Sequence, residues 1–430
     1  MTNMTKKKSV DPQSNSQENN LQENPHTIKQ ASEVKRRLLN WIKIFILGLV
    51  IEAILRDKLY KVGITFIKIL QAGIEENPYL IKLLQTLSMM ATKYLVIFSV
   101  IMFFNYLDMY TTLVLVLIGG CGSIGTGFFK LIYKNPRPFF HEHWVKVYDC
   151  ETGYGNPSGH SIVAVSIYLT LWKVLRKRNA FFERNKRKLF GFVFFFICCI
   201  LLSRLALGAH SLNQILLGSF IGYQIYLLFF YVIKIDIDMH KEIKTLMKLS
   251  NFYILVIIIS IILISGILIF NFFPLVFDLD VNQYLDRIME NCPGTPYSKT
   301  FDYEAYFMLA ACSSLVGGYY GIIYDIKFNL NNSQEKWIEL NFGEKLWNKT
   351  DFLRGFKRLG VILVILFVPF SLTLMVSSHA HTNYIFIIKN LIPYFLLNFI
   401  LFGFVRFICC WLKCGNRLLD VIEEDKNHSD

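Results

Sequence analysis

Tyr110-Thr-Thr-Leu-Val-Leu-Val-Leu-Ile-Gly-Gly-Cys-Gly-Ser-Ile-Gly-Thr-Gly-Phe-Phe129 contains no charged side chain, and Lys130 follows it at once. An apolar block of this length reads as a helix crossing a bilayer, because lipid offers no hydrogen-bond partners to the backbone. Working outward, similar blocks recur near 84–104, 159–175, 189–204, 212–234, 252–274, 305–324, 359–376 and 384–408. With 110–129 they predict an all-α, polytopic transmembrane bundle of about nine spans. A tenth segment, 41–55, is short and is followed by a Lys-containing apolar stretch to Leu70. It reads equally as a span or as an amphipathic helix lying in the interface.

Composition agrees. Hydrophobic residues make up 53% of the 430 and charged ones only 18%, too few for a soluble chain of several domains. The net charge of +13 is not a nucleic-acid signal, because the basic residues cluster in particular loops. Arg176, Lys177, Arg178, Arg184, Lys186, Arg187 and Lys188 lie between two spans, and Lys234, Lys241, Lys244 and Lys248 between two others. The positive-inside rule makes both loops cytoplasmic and puts 130–158 and 278–304 on the opposite, non-cytosolic side. Lys35, Arg36 and Arg37 favour a cytosolic N-terminus if 41–55 spans. Cys150 and Cys292 then share the non-cytosolic face, which permits a disulfide between them.

The chain divides into a disordered polar tail (1–37), an amphipathic or extra membrane-helix region (38–78), a core (79–234), further transmembrane helices (235–410) and a short C-terminal tail (411–430).

Three polar stretches interrupt the apolar pattern at span ends, all on the predicted non-cytosolic side. They are Lys130 to Pro138, Gly155-Asn-Pro-Ser-Gly-His160, and Ser203 to Gln214. Each has a dull explanation taken alone: an anchoring lysine, a helix start, a capping box. Together they compose an anion site. Asn156 suits an N-cap and Pro157 the first helical position, which would leave the N–H groups of Ser158 and Gly159 free for phosphate. Gly159 offers no side chain to block the approach. Lys130, Arg137 and Arg204 add charge-assisted donors, and three cations so close call for a balancing anion, which argues for a ligand. His160 and His210 could supply a nucleophile and an acid. No carboxylate cluster was evident beside them, which argues against a metal. His141 and His143 read as exposed, Asp149 and Glu151 as solvated or paired, and Asp302 and Glu304 as outlying candidates for the mouth of the site.

The pattern Lys-x6-Arg-Pro, Pro-Ser-Gly-His and Ser-Arg-x5-His, running from Lys130 to His210, resembles the signature of the type-2 phosphatidic acid phosphatase/haloperoxidase superfamily. The run Cys150 to His160 and the nine-span layout resemble its glucose-6-phosphatase branch, and sphingosine-phosphate phosphatases share much of that layout. The resemblance implies that His210 is a nucleophile forming a phosphohistidine, and His160 the acid that releases the alcohol. Lys130, Arg137, Ser158, Gly159 and Arg204 would hold the phosphoryl oxygens. It also implies no metal and no cofactor. One position departs: most of the superfamily has Asp four residues after the nucleophile, where this chain has Gln214. Gln214 could accept a hydrogen bond from the imidazole or cap the following helix.

The leading expectation is a membrane phosphomonoesterase acting on a lipid phosphate, phosphatidate or a sphingoid-base phosphate, at the non-cytosolic face. A sugar-phosphate hydrolase is the close alternative, followed by a lipid phosphotransferase and a non-catalytic lipid-binding or transport relative. The partners implied are the phosphorylated substrate and the bilayer, with no nucleic acid. Placement in the endoplasmic reticulum rests on the resemblance alone.

Overall fold

The computed structural model describes residues 25–92, 109–151, 153–178, 180–234, 281–292, 303–329 and 383–412, with scattered positions in 253–264 and 356–371. Among them are helices and loops, with no strand. The helices are α1 (Pro25–Ile74), α2 (Pro78–Met89), α3 (Met109–Tyr133), α4 (Pro138–His141), α5 (Gly159–Arg178), α6 (Ala180–Arg184), α7 (Lys186–Ala206) and α8 (Leu212–Leu227), which continues as a π-helical turn to Ile233. Then come α9 (Val281–Asn291), α10 (Tyr303–Tyr324), α11 (Asn383–Gly403) and α12 (Val405–Trp411).

Among the described residues, four helical stretches are long and apolar enough to cross a membrane: Ser32–Ile74, Thr112–His141, Lys186–Ala206 and Leu212–Ile233. The predicted spans at 305–324 and 384–408 fall in helices α10 to α12, and 159–175 falls in α5. Of the predicted span 84–104, the described part belongs to α2, which ends at Met89, and residues 93–108 lie outside the described set. Most of 252–274 and 359–376 lies outside it as well.

The ambiguous segment 41–55 sits inside α1, a continuous helix of 50 residues. Residues 25–37, expected as part of a polar tail, form its first turns. Helix α1 runs antiparallel to α8. Trp41 Nε1 donates to the Gln224 carbonyl at 3.0 Å, Gly48 faces Phe220, Gly63 faces Leu212, and Gln71 reaches the carbonyls of Lys146 and Ala206. A helix that runs the whole length of the bundle does not lie flat along its edge. The lysines of 56–70 interrupt its apolar face without breaking the helix, since Lys and Arg are good helix formers.

Glycines set the closest crossings. A Cβ built on Gly218 would stand 2.5 Å from the Ser158 carbonyl oxygen, and one on Gly222 would stand 2.6 Å from that of Ile162. Helices α5 and α8 therefore touch backbone to backbone along a small-xxx-small stripe, the packing lipid favours when apolar burial gives no drive. Gly317 and Gly321 of α10 meet the Phe395 and Phe399 carbonyls of α11 in the same manner. Gly222→Val should thus destabilise the protein by about 1–3 kcal/mol, because the opposing atoms are backbone and cannot rotate away. It should lower activity in parallel, because α5 and α8 carry the two sides of the candidate site. Thermal denaturation of the detergent-solubilised variant checks this; an unchanged midpoint would mean the crossing is looser than described.

The alternating helix directions gather the C-terminal ends of α3 and α7 with the N-terminal ends of α5 and α8. Arg176, Arg178, Lys186 and Lys234 collect at the other end. All three polar motifs therefore meet at one end of the bundle.

Candidate active site

His210 lies in the tight link between α7 and α8, where Gly208 takes φ 71° to turn the chain. A side chain at Gly208 would run into the Lys146 carbonyl. The imidazole is fully buried. Its Nδ1 lies 3.2 Å from Gln214 Oε1, while Gln214 Nε2 donates to the Pro136 carbonyl at 2.7 Å. The second bond orients the amide: the group facing His210 is the carbonyl oxygen, which can only accept. Nδ1 therefore carries the proton, and Nε2 presents a lone pair. The other neighbour agrees, because Arg137 Nη1 sits 3.1 Å from Nε2 and can only donate. Gln214 Oε1 also accepts the Ser211 N–H at 3.2 Å, completing a capping box. The two sequence readings of Gln214, ring acceptor and cap, hold together.

Arg137 is 1% exposed and spends every guanidinium nitrogen. Nε donates to the Gly153 carbonyl at 2.7 Å, Nη2 to that of Tyr154 at 3.4 Å, and Nη1 to that of Ala209 at 3.0 Å. Nη1 also pairs with Glu151 Oε2 at 2.8 Å. Arg204, fully buried in the last turn of α7, pairs with Asp149 Oδ2 at 2.5 Å, with Glu151 Oε1 and with Ser88 Oγ. His160 Nδ1 is 3.3 Å from Glu151 Oε1, and His210 Nε2 is 3.5 Å from Glu151 Oε2. Arg137, Arg204, His160 and His210 converge on one carboxylate.

Two sequence arguments change here. The anion that the clustered cations demanded is supplied by the chain itself, chiefly by Glu151, so charge balance alone does not require a ligand. The claim that no carboxylate accompanies the histidines also fails. Glu151, His160 and His210 each place a donor atom within 4.8 Å of the others, a spacing that a metal ion can use. Glu151 is already held by two arginines, which competes with such use.

The helix start differs too. Helix α5 begins at Gly159, with Ser158 as its cap: Ser158 Oγ accepts the Ser161 N–H at 3.4 Å. The Ser158 N–H that was expected to be free donates to the Gln214 carbonyl at 3.0 Å. Asn156 instead donates to Glu52 Oε1 and Asn135 Oδ1, at 3.3 and 3.1 Å. Gly159 has a packing reason for its small size, since a Cβ there would come within 3.1 Å of the Thr126 methyl. Thr126 is one turn before Lys130 on α3, so Lys130, buried at 6% exposure, lies on the α3 face turned to the start of α5.

The loop carrying Glu151 is pinned from several sides. Cys150 is disulfide-bonded to Cys292 at the end of α9, as the shared face of the two loops permitted. Gln71 brackets Lys146, donating to its carbonyl at 2.8 Å and accepting its N–H at 3.0 Å, and Gln85 donates to the Tyr148 carbonyl. Of the outlying candidates, His141 packs edge-on against Tyr284 and His143 is exposed. Asp302 and the side chain of Glu304 lie outside the described residues.

Residues 109–237 match the sequence model of the PAP2 superfamily. That stretch of the chain is similar to the PAP2 superfamily. No curated protein and no solved structure matches the chain. The PAP2 stretch holds every residue singled out by motif, from Lys130 to Gln214, together with Asp149 and Glu151. Sequence reading missed Ser88, Gln71 and Glu52, which brace the core from α1 and α2, outside that stretch, and they have no local signature. Glu151 had one: two arginines destined for burial need carboxylates, and Asp149 and Glu151 are two of the three acids, with Glu142, in the loop that follows Arg137.

Burial by itself would raise Glu151, but the Arg204 charge, then those of Arg137 and His160, reverse this and hold the carboxyl well below its usual range. Burial and then Arg137 push His210 down to about 3, so it is neutral at pH 7 with Nε2 unprotonated. Both shifts have the same consequence for stability. Between about 6.5 and 3 the unfolded chain protonates this histidine and the folded one does not, so acidification favours unfolding. The depressed Glu151 stabilises the fold above its ordinary pKa of 4.5, and that contribution is lost as pH falls through the folded value. The melting temperature should therefore drop from pH 7 to pH 5, and His210→Asn should flatten that part of the curve. A melting temperature that rises between pH 7 and pH 5 would contradict the His210 assignment.

Proposed function

We propose that this chain is a membrane phosphomonoesterase that hydrolyses a phosphate ester through a phosphohistidine on His210, with a lipid phosphate as substrate. PAP2 superfamily members are phosphatases, and the observation that carries the reading is the convergence of Arg137, Arg204, His160 and His210 around one anion. A phosphoryl group in that position meets two guanidinium groups and two imidazoles on different sides. Phosphoryl transfer asks for little more than this, because it depends mainly on positioning and charge stabilisation.

In the proposed reaction, His210 Nε2 attacks phosphorus in line with the leaving oxygen. The P–O bond to the alcohol breaks, and His160 gives its proton to that oxygen. Water then attacks the phosphohistidine and yields its proton to His160, releasing inorganic phosphate and restoring the lone pair on Nε2. Gln214 Oε1 holds the Nδ1 proton throughout. It supplies a dipole where a carboxylate would supply a charge, so the imidazolium character of the intermediate is less stabilised. Lys130, Ser158 and Gly159 complete the cradle in this reading, and no metal takes part.

The lipid assignment is supported by the site's place at the ends of apolar helices, where a headgroup can enter while its tail stays in the bilayer. The disulfide beside the site supports a non-cytosolic, oxidising compartment such as the lumen of the endoplasmic reticulum. Membranes containing the protein should release phosphate from phosphatidate or a sphingoid-base phosphate without added metal and in the presence of a chelator. Faster release from glucose-6-phosphate would move the assignment to the sugar-phosphate branch. Activity that requires added magnesium or zinc would defeat the metal-free mechanism.

A further inference from the structure

We propose that Glu151 is a resident anion that fills the phosphate cradle of the free protein, and that its displacement selects dianionic phosphate monoesters over monoanionic diesters. The inference rests on the phosphatase reading of the site and deepens it. One carboxylate oxygen faces Arg204 Nη2 and His160 Nδ1, and the other faces Arg137 Nη1 and His210 Nε2. These are the four groups the reaction needs, and all are engaged at once. Arg137 Nη1 also sits at the His210 lone pair, 3.1 Å away. A phosphoryl group cannot reach His210 while Glu151 stays in place.

The surroundings show how it can leave. On one side Cys150 is tied to Cys292. On the other, the Gly153 carbonyl is held by Arg137 and the Gly155 N–H by the Asn135 carbonyl. Glu151 itself makes no backbone hydrogen bond among the described residues, and its side chain is 22% exposed. Withdrawal is thus a rotation of one side chain toward solvent, with the loop kept in place. Asp149, 34% exposed and paired to the other side of Arg204, keeps that arginine aimed while Glu151 moves.

The charges then decide what displaces it. A tethered carboxylate presents one negative charge to Arg137 and Arg204 at high effective concentration. A monoester dianion brings two charges and three terminal oxygens, so it gains more from the same donors than the carboxylate gives up. A diester brings one charge and extra bulk, and gains nothing over the group it must expel. Discrimination against the wrong ligand comes from the competitor already in the site. A merely structural counter-ion would leave the cradle weaker when removed; a competitor leaves it stronger.

The test uses the full chain in lipid nanodiscs, with inorganic phosphate as the probe at mildly alkaline pH. Glu151→Gln keeps the shape and removes the charge. Phosphate affinity, read from the shift in melting temperature with phosphate concentration, should rise at least about tenfold, the scale of one charge-assisted interaction. In the same variant the KM for a monoester should fall, and the ratio of diester to monoester kcat/KM should rise. Glu151→Asp keeps the charge one methylene short of both histidines and should give an intermediate gain, which covers the case where E151Q does not fold. Unchanged or weaker phosphate binding in the variant that folds overturns the proposal, as does a fall in kcat with KM unchanged. If phosphate binding tightens while neither protein hydrolyses any ester, the resident anion stands and the phosphatase reading fails. If the wild type hydrolyses monoesters and phosphate affinity does not move, the resident anion fails alone.

Discussion

His210→Ala is expected to cut phosphate release from membranes containing the protein at least about a thousandfold, the scale seen when a catalytic nucleophile is removed. Two partners fix the imidazole as the tautomer with its lone pair on Nε2, and that lone pair points at the centre of the anion cluster. His160 cannot substitute, because its Nδ1 approaches Glu151 from the start of α5 and it already has the acid's part. The loss should fall on kcat, because Arg137 and Arg204 still hold the phosphate. Phosphate should still raise the melting temperature of H210A, which separates loss of chemistry from loss of folding. Release within a few fold of the parent would sink the phosphohistidine mechanism. Trapping labelled phosphate on the wild-type protein by an alkaline denaturing quench, and its absence in H210A, would establish the intermediate directly.

How much of this was legible depended on whether the cause was local. The apolar helices around 110–129, 189–204 and 212–234 were readable because the bilayer acts on each span separately, and the three motifs stood out because polar residues at span ends are costly unless used. The start of α5 was misread for a local reason. Asn156-Pro157 satisfies the ordinary rules for a cap and a first turn, but the Ser158 N–H has a better partner in the Gln214 carbonyl, 56 positions on, and that partner exists only once α5 and α8 cross at Gly218 and Gly222. Glu151 was undervalued for the same kind of reason. Its pairing with Arg204 spans 53 residues and depends on the path of a loop tied down by Gln71, Gln85 and Cys292. Arg137 and Arg204 do meet an anion, but that anion was attributed to a ligand because the acids were still in a loop of unknown course. Helix α1 stayed open for a different reason: the lysines within 56–70 lowered its hydropathy, so 41–55 read equally as a span or an interfacial helix, while the backbone runs on as one helix to Ile74.

Arg137→Lys keeps the charge and should nevertheless be among the most damaging single substitutions in the protein. The guanidinium serves three backbone carbonyls, one carboxylate and one imidazole, from three nitrogens in a plane. An ammonium has three donors radiating from one point and cannot reach both the Gly153 and Ala209 carbonyls while facing Glu151. At 1% exposure no water replaces what is lost. Each orphaned carbonyl costs about 1–3 kcal/mol, and a buried ion pair that loses its geometry costs about 3–5 kcal/mol. The loop from Gly153 to Tyr154 would lose its anchor, and with it the placement of Glu151 and of the cap at Ser158. Arg137→Lys should therefore melt well below the parent and retain less than about one hundredth of its kcat/KM, close to Arg137→Ala and far from a conservative rescue. A phosphate cradle that needed only positive charge at this position would behave differently: R137K would keep most of the activity, R137A would lose it, and the fork of hydrogen bonds described here would have no functional weight.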